Sequence, residues 1–389
     1  MTNSIAYENA HLPEGIRSRV VDNHNGLNMH VLEAGYETPN RPCVLLLHGF
    51  PELAYSWRKI MLPLAQAGFY VIAPDQRGYG RTTGWDANYD GNAGSFRMLN
   101  LVRDILGLLA ALGQRSVVAV FGHDAGSFVA GSCAMIRPDI FRSTALMSAP
   151  FAGPPPLPFN TANAAAQTKP ASDIHTDLAA LPRPRKHYQW YYSTRPANDD
   201  MMKCQQGVHD FMRAYYHHKS ADWKANHPYR LQSWSAEELA KMPTYYIMDL
   251  HENMAQTVAH EMPSAAEIAA NKWLPDAELA VYTSEYTRNG YQGGLQWYRC
   301  MTGAKYVSEL QIFSGRTIDV PAIFIAGKSD WGTYQKPGDV EKMRDIIMTQ
   351  QRGFYLLDGA GHWVQQEQPE QVSGILLEFL RGQGLMSTK

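Results

Sequence analysis

Three residues have the types and the chain order to form a covalent bond and then break it. Asp124 lies in Phe121-Gly122-His123-Asp124-Ala125-Gly126-Ser127, Asp330 in Ala326-Gly327-Lys328-Ser329-Asp330-Trp331-Gly332, and His362 in Asp358-Gly359-Ala360-Gly361-His362-Trp363. The apolar run 116–120 leads into the first stretch and the helix-like run 128–136 leads out of it. Strand, sharp turn and helix in that order put the central side chain at an exposed apex. Glycines two places before and after it let the backbones approach. A carboxylate at such an apex is a good nucleophile toward saturated carbon, and the resulting alkyl ester is open to water. Toward an ester or amide it would give a reactive anhydride, so acyl transfer is not the expected chemistry. His362 is placed to activate the water, and Asp330 to orient and charge-stabilise the imidazole. Asp358 is an alternative acid, but it lies too near His362 in sequence. Asp is common in ordinary turns; the strand, the helix and both glycines argue against that plainer reading here.

These residues need a scaffold that brings distant segments together. Alternating stretches at 17–21 and 27–32 read as two strands separated by a turn. Continuous apolar runs at 43–47 and 69–73, and further strands at 143–148, 320–326 and 353–357, read as strands covered on both faces. Helical spacing follows at 57–68, 99–109, 128–136, around 340–347 and at 367–382. Alternation of this kind predicts an α/β fold with a mostly parallel sheet and helices on both faces. The order nucleophile, acid, histidine is that of the α/β-hydrolase fold.

At residue 151 the character changes. Phe151-Ala152-Gly153-Pro154-Pro155-Pro156-Leu157-Pro158 cannot be regular structure. Helical patterns rich in Tyr, Trp, Met and His then run to about 312, after which the alternation resumes. The expected division is a first core half over 1–150, a mainly helical cap over 151–312 with a Pro-rich entry loop, and a second core half over 313–389. The cap would cover the carboxyl ends of the strands, where open α/β sheets bind ligands. His48-Gly49-Phe50-Pro51 follows the strand that supplies an oxyanion donor in this fold. The expected donors are the backbone N–H groups of Phe50 and Ala125. Pro51 invites a cis peptide bond.

The 389 residues carry a net charge of −2, with 45% hydrophobic and 19% charged residues, so no polyanionic partner is implied. The 4 cysteines are scattered without a CxxC pair, which suits reduced thiols in a cytoplasmic protein rather than a zinc site. Neither an apolar leader at residues 1–8 nor a membrane-length apolar run is present in the sequence. No cofactor or metal is expected. A homodimer is left open.

The motifs resemble those of the soluble epoxide hydrolases of the α/β-hydrolase superfamily. His48-Gly49-Phe50-Pro51-Glu52 with Tyr55-Ser56-Trp57-Arg58, then Arg77-Gly78-Tyr79-Gly80, Gly122-His123-Asp124, the Asp330 loop and Gly361-His362-Trp363 carry the resemblance across both core halves. Lys186-His187-Tyr188-Gln189-Trp190-Tyr191 and Gly290-Tyr291-Gln292-Gly293-Gly294-Leu295-Gln296-Trp297-Tyr298-Arg299 are similar to the family's two lid-tyrosine stretches. The resemblance implies hydrolysis of an apolar epoxide to a vicinal diol, with Tyr188 and Tyr298 as lid acids. His48, Pro51, Gln189, Trp190, Trp331 and Trp363 are expected around the substrate.

Two other readings are compatible with the fold. A hydrolytic dehalogenase uses the same Asp–His–Asp set, and Trp190 lies where fluoroacetate-type members carry a cap Trp. Ala125, however, supplies neither the Trp nor the Arg that such enzymes place after the nucleophile, and many epoxide hydrolases also carry Trp there. A non-catalytic receptor on this fold would be marked by degraded catalytic positions, whereas here every one is filled.

Overall fold

The computed structural model describes residues 12–161 and 173–383. The extreme N-terminus and part of the Pro-rich entry loop, residues 162–172, lie outside the described residues. Eight strands form the main sheet in the order β1-β2-β4-β3-β5-β6-β9-β10. They are β1 Ile16–Asp22, β2 Asn28–Ala34, β3 Cys43–Leu47, β4 Tyr70–Pro74, β5 Ala119–His123, β6 Thr144–Met147, β9 Ile318–Gly327 and β10 Met348–Leu357. β2 is antiparallel to both β1 and β4, and the pairs from β4 to β10 are parallel. β3, β5 and β6 are buried along their whole length, in keeping with the apolar residues that make up most of each.

The topology sets the site. From β3 the chain steps to β4 on one side, then returns to lay β5 on the other side of β3. The crevice outside the carboxyl ends of β3 and β5 is therefore a topological switch point, where open α/β sheets bind ligands. Phe50 follows β3 and Asp124 follows β5, while Asp330 and His362 follow β9 and β10.

Several elements differ from the expectation. The elbow strand runs three residues later than its apolar run, continuing through Phe121-Gly122-His123. The helix expected around 340–347 is a short α-turn, Asp339–Lys342, that passes into a π-turn, Met343–Ile347. Between β6 and β9 most of the chain is helical, but a two-stranded antiparallel ladder is added, β7 Arg185–His187 with β8 Ile247–Asp249. Strands of three residues carry too little alternation to read from sequence. Among the described residues no helix is long and apolar enough to cross a membrane.

This helical layer is bolted to the core by polar groups. Arg58 reaches Glu278, Tyr282 Oη at 3.3 Å and Gln366 Oε1 at 3.1 Å, while Arg81 Nε donates to Glu285 at 2.8 Å. The buried polar groups of this layer that lack a hydrogen-bond partner among the described residues include the His218 ring. The His218 ring is fully buried against Trp223 and Tyr245 at 4.4 and 4.7 Å, and neither ring nitrogen has a partner. Burial lowers its pKa to about 3. Below its ordinary value of 6.5 the unfolded chain takes up a proton that the folded chain refuses. Stability therefore falls by about 1.4 kcal/mol for each pH unit of acidification toward pH 3 from this group alone. His218→Leu removes this pH dependence. Urea unfolding at pH 7 and pH 5 is expected to show the variant losing about 2 kcal/mol less than the parent chain; an equal loss would contradict the buried-neutral assignment.

Candidate active site

Asp124 stands at φ 52°, ψ −123°, a strained conformation for a residue with a side chain, between β5 and the helix Ala125–Ile136. The neighbouring glycines make the turn sterically feasible. A Cβ on Gly122 would lie 2.2 Å from the Gly126 carbonyl oxygen, and one on Gly126 would lie 2.3 Å from that of Leu47. The turn aims the carboxylate at two partners. Phe50 N–H donates to Asp124 Oδ1 at 3.0 Å. His362 Nε2 stands 3.1 Å from Asp124 Oδ2, and its Nδ1 stands 3.1 Å from Asp330 Oδ1. Asp330 Oδ1 also accepts from Gly332 N–H at 2.7 Å, which fixes its orientation. Burial alone would raise the Asp124 pKa. The His362 hydrogen bond and charge, with Lys219 and His123 behind them, outweigh it and hold the carboxyl well below the ordinary range.

The Phe50–Pro51 peptide is cis. Of the two expected backbone donors, Phe50 is already on Asp124; among the described contacts Ala125 N–H bonds to neither carboxylate oxygen.

Tyr188 and Tyr298 form the roof. Tyr188 N–H donates to Tyr246 O at 2.9 Å just beyond the β7–β8 ladder, and His187 Nδ1 accepts from Gln189 N–H to start the helix Tyr188–Tyr192. Tyr298 lies on the helix Gln292–Thr302, pressed onto the core because Gly293 and Gly294 have no side chains. A Cβ on Gly293 would lie 2.0 Å from Gly78 O, and one on Gly294 2.7 Å from the Phe50 ring. Trp297 Nε1 locks the helix by donating to Arg77 O at 2.8 Å. The two phenol rings are 6.0 Å apart, and Tyr298 meets Phe50 edge-on at 5.5 Å. Tyr188 Oη donates to Gln335 Oε1 and accepts from Gln189 Nε2, both at 3.2 Å. Burial, reinforced by the Asp124 charge, raises both phenols well above their ordinary value, so they are protonated donors at neutral pH.

A cavity of about 240 Å³ opens beside the elbow, lined by Ala125, Phe128 and Ser132 on one helix face and by Gln189, Trp190 and Trp297 opposite. Gln189 and Trp190, two of the residues expected around the substrate, line this cavity. His48, Pro51, Trp331 and Trp363 do not line it. The His48 ring is fully buried; Nδ1 donates to Gly49 O at 2.9 Å and Nε2 accepts from Gln76 N–H at 3.1 Å, so it braces the loop behind Phe50. The Pro51 carbonyl accepts from Tyr216 Oη at 3.2 Å. Trp331 packs against Tyr229 at 5.0 Å, and Trp363 Nε1 donates to Tyr216 O at 2.9 Å.

Sequence reasoning missed a buried pair behind the triad. His123 Nδ1 stands 2.5 Å from Glu52 Oε2, and Nε2 donates to His362 O at 2.6 Å. Burial would neutralise both. Instead each holds the other charged, with Glu52 net lowered and His123 net raised. Gln365 and Gln366 donate to the second Glu52 oxygen at 2.8 and 2.9 Å. Glu52 and His123 both sit inside motifs read from the sequence, one place past cis-Pro51 and one before Asp124.

The family described as alpha/beta hydrolase fold matches residues 42–369. Epoxide hydrolase A of Mycobacterium tuberculosis is 32% identical over 371 residues, covering 94% of this chain and 97% of the relative. The epoxide hydrolase of Caballeronia sordidicola is 30% identical over 357 residues, covering 92% of each chain. The crystal structure of epoxide hydrolase A from Mycobacterium thermoresistibile superposes with a TM-score of 0.72 at 30% identity, covering 94% of this chain and 98% of that one. An aspartate at the elbow, a histidine and second aspartate behind it, and relatives of this similarity over nearly the whole length lead to one conclusion: the chain belongs to the α/β-hydrolase fold family and, within it, to the epoxide hydrolases.

Proposed function

We propose that the chain hydrolyses an apolar epoxide to a vicinal diol in two steps. Asp124 Oδ2, the oxygen not held by Phe50, attacks a ring carbon. The C–O bond of the ring breaks, and the departing oxygen takes a proton from the Tyr188 and Tyr298 roof. The product of this step is an alkyl ester of Asp124, with Oδ1 as its carbonyl oxygen. His362, oriented by Asp330, then takes a proton from water, and the hydroxide adds to the ester carbon. Negative charge grows on Oδ1, where Phe50 N–H already points and Ala125 N–H is free to join. Collapse breaks the bond from the ester carbon to Oδ2, His362 returns its proton to the departing alkoxide to complete the diol, and the proton shed by the new Asp124 carboxyl restores the phenol, leaving one water oxygen in Asp124. No step calls for a metal or cofactor.

The observation that carries this reading is one carboxylate with Phe50 N–H on one oxygen and His362 on the other, beneath two buried phenols. The substrate's apolar group fits along Ala125, Phe128 and Phe151, where a larger residue at position 125 would close the space. The working division is core over 1–150 and 313–389, with the cap over 151–312. Unpaired cysteines suit a cytoplasmic setting. A homodimer and the absence of a nucleic-acid partner belong to the same proposal. The dehalogenase alternative is not favoured, since relatives at 30 and 32% identity are named epoxide hydrolases. A panel of aryl and alkyl epoxides beside haloacids tests the reaction. Diol from the epoxides without halide release is expected; halide release without diol would overturn the reading.

A further inference from the structure

The loop that carries His362 is held in an unusual way. Glu367 Oε2 accepts from Gly361 N–H at 3.0 Å, and its Oε1 accepts from Trp363 N–H at 3.0 Å, so one carboxylate grips the backbone on both sides of the imidazole. The same Oε2 also accepts from Ala221 N–H at 2.8 Å, across the junction in the helical layer. His362's own N–H donates to Lys219 O at 2.9 Å. Lys219 ends the helix Gly207–Lys219, whose last carbonyls need outside donors. Trp363 Nε1 serves a second one, Tyr216 O, at 2.9 Å. The two backbones touch so closely that a Cβ on Gly361 would lie 2.5 Å from Ser220 C and 2.6 Å from Ala221 N. Asn226 Nδ2 secures the far side by donating to His218 O at 2.9 Å and Ser220 O at 2.8 Å.

These contacts do more than satisfy a loop. An imidazole that must meet Asp124 at one nitrogen and Asp330 at the other tolerates little displacement, and loose support is a common reason for a site to lose rate. We infer that Glu367 is a positioning residue for His362: by holding the N–H groups on both sides of the imidazole together with Ala221 N–H, it fixes the base over Asp124 and makes this junction the immobile edge of the cap. The inference rests on His362 acting as the base of ester hydrolysis.

Glu367→Gln keeps the size but leaves one acceptor oxygen where two now serve three donors. Glu367→Asp, which keeps the carboxyl group but shortens the reach, is the second variant should the first fail to fold. With a terminal aryl epoxide, rapid quench and intact-mass detection of the ester separate the two half-reactions. Formation of the ester is expected to stay within about two-fold of the parent chain, while its hydrolysis slows by about ten-fold or more. The ester then accumulates, and kcat and KM fall together. The low-field proton resonance of His362 Nδ1–H facing Asp330 is expected to broaden or shift. Loss of stability with an unchanged ratio of the two half-reactions and an unchanged low-field resonance would overturn the inference, leaving Glu367 a purely structural bolt. The resonance is read without substrate. A parent chain that makes no ester would therefore sink the epoxide reading while the resonance still judges Glu367.

Discussion

Asp124→Asn is expected to lower diol formation by about 10,000-fold or more, because no other group in the site can make the carbon–oxygen bond. The amide keeps the shape of the side chain and can still accept from Phe50 N–H, so substrate binding should change little. Steady-state turnover together with binding of an unreactive analogue separates the two effects; diol formation near the parental rate would remove Asp124 from the chemistry. The variant also carries a pH signature in stability. The folded pKa of Asp124 lies below its ordinary 3.8, so the ionised carboxylate stabilises the fold above that value. That contribution is lost as pH falls through the folded pKa. The stability gap between the parent chain and Asp124→Asn should therefore narrow on acidification from pH 5 toward pH 2.

Tyr188→Phe with Tyr298→Phe is expected to slow formation of the Asp124 ester by about 10,000-fold, with each single substitution near the geometric middle. Opening the ring leaves an oxygen that becomes strongly basic and draws a proton from a buried phenol. Either phenol alone can still hydrogen-bond it, which is why the single changes are milder. The two singles should differ in stability. Tyr188→Phe strips a buried acceptor, Gln335 Oε1, of its donor and should cost about 1–3 kcal/mol. Single-turnover ester formation and urea unfolding check both points; unchanged ester formation in the double variant would remove the phenols from the mechanism.

The legibility of the chain follows from how local each signal is. Asp124, Asp330 and His362 each follow an apolar run and a turn, signals contained in about ten residues, and the fold brings them within hydrogen-bond distance. The parallel sheet could be read because β3 is an unbroken apolar run and β5 opens on Ala119-Val120-Phe121. Contacts between distant residues were not legible. Glu52 and His123 are 71 positions apart, and Glu367 and Ala221 are 146 apart. Neither pair has a periodicity to betray it. His48 misled for a related reason. Its place after β3 suggests a pocket residue, but the Gln76 N–H draws the ring inward. Trp331 and Trp363 flank triad residues in sequence, yet Trp331 packs on Tyr229 and the Trp363 indole N–H is taken by Tyr216 O.

The central claim is a covalent ester on Asp124, and the origin of the oxygen in the first product tests it most directly. Excess enzyme is mixed with an epoxide in heavy-oxygen water, so that each molecule turns over once. Attack by Oδ2 predicts that the first diol contains no oxygen from the solvent, and that the label appears instead in the peptide containing Asp124. Direct attack by an activated water would place heavy oxygen in the first diol and none in the protein, and that result would contradict the account.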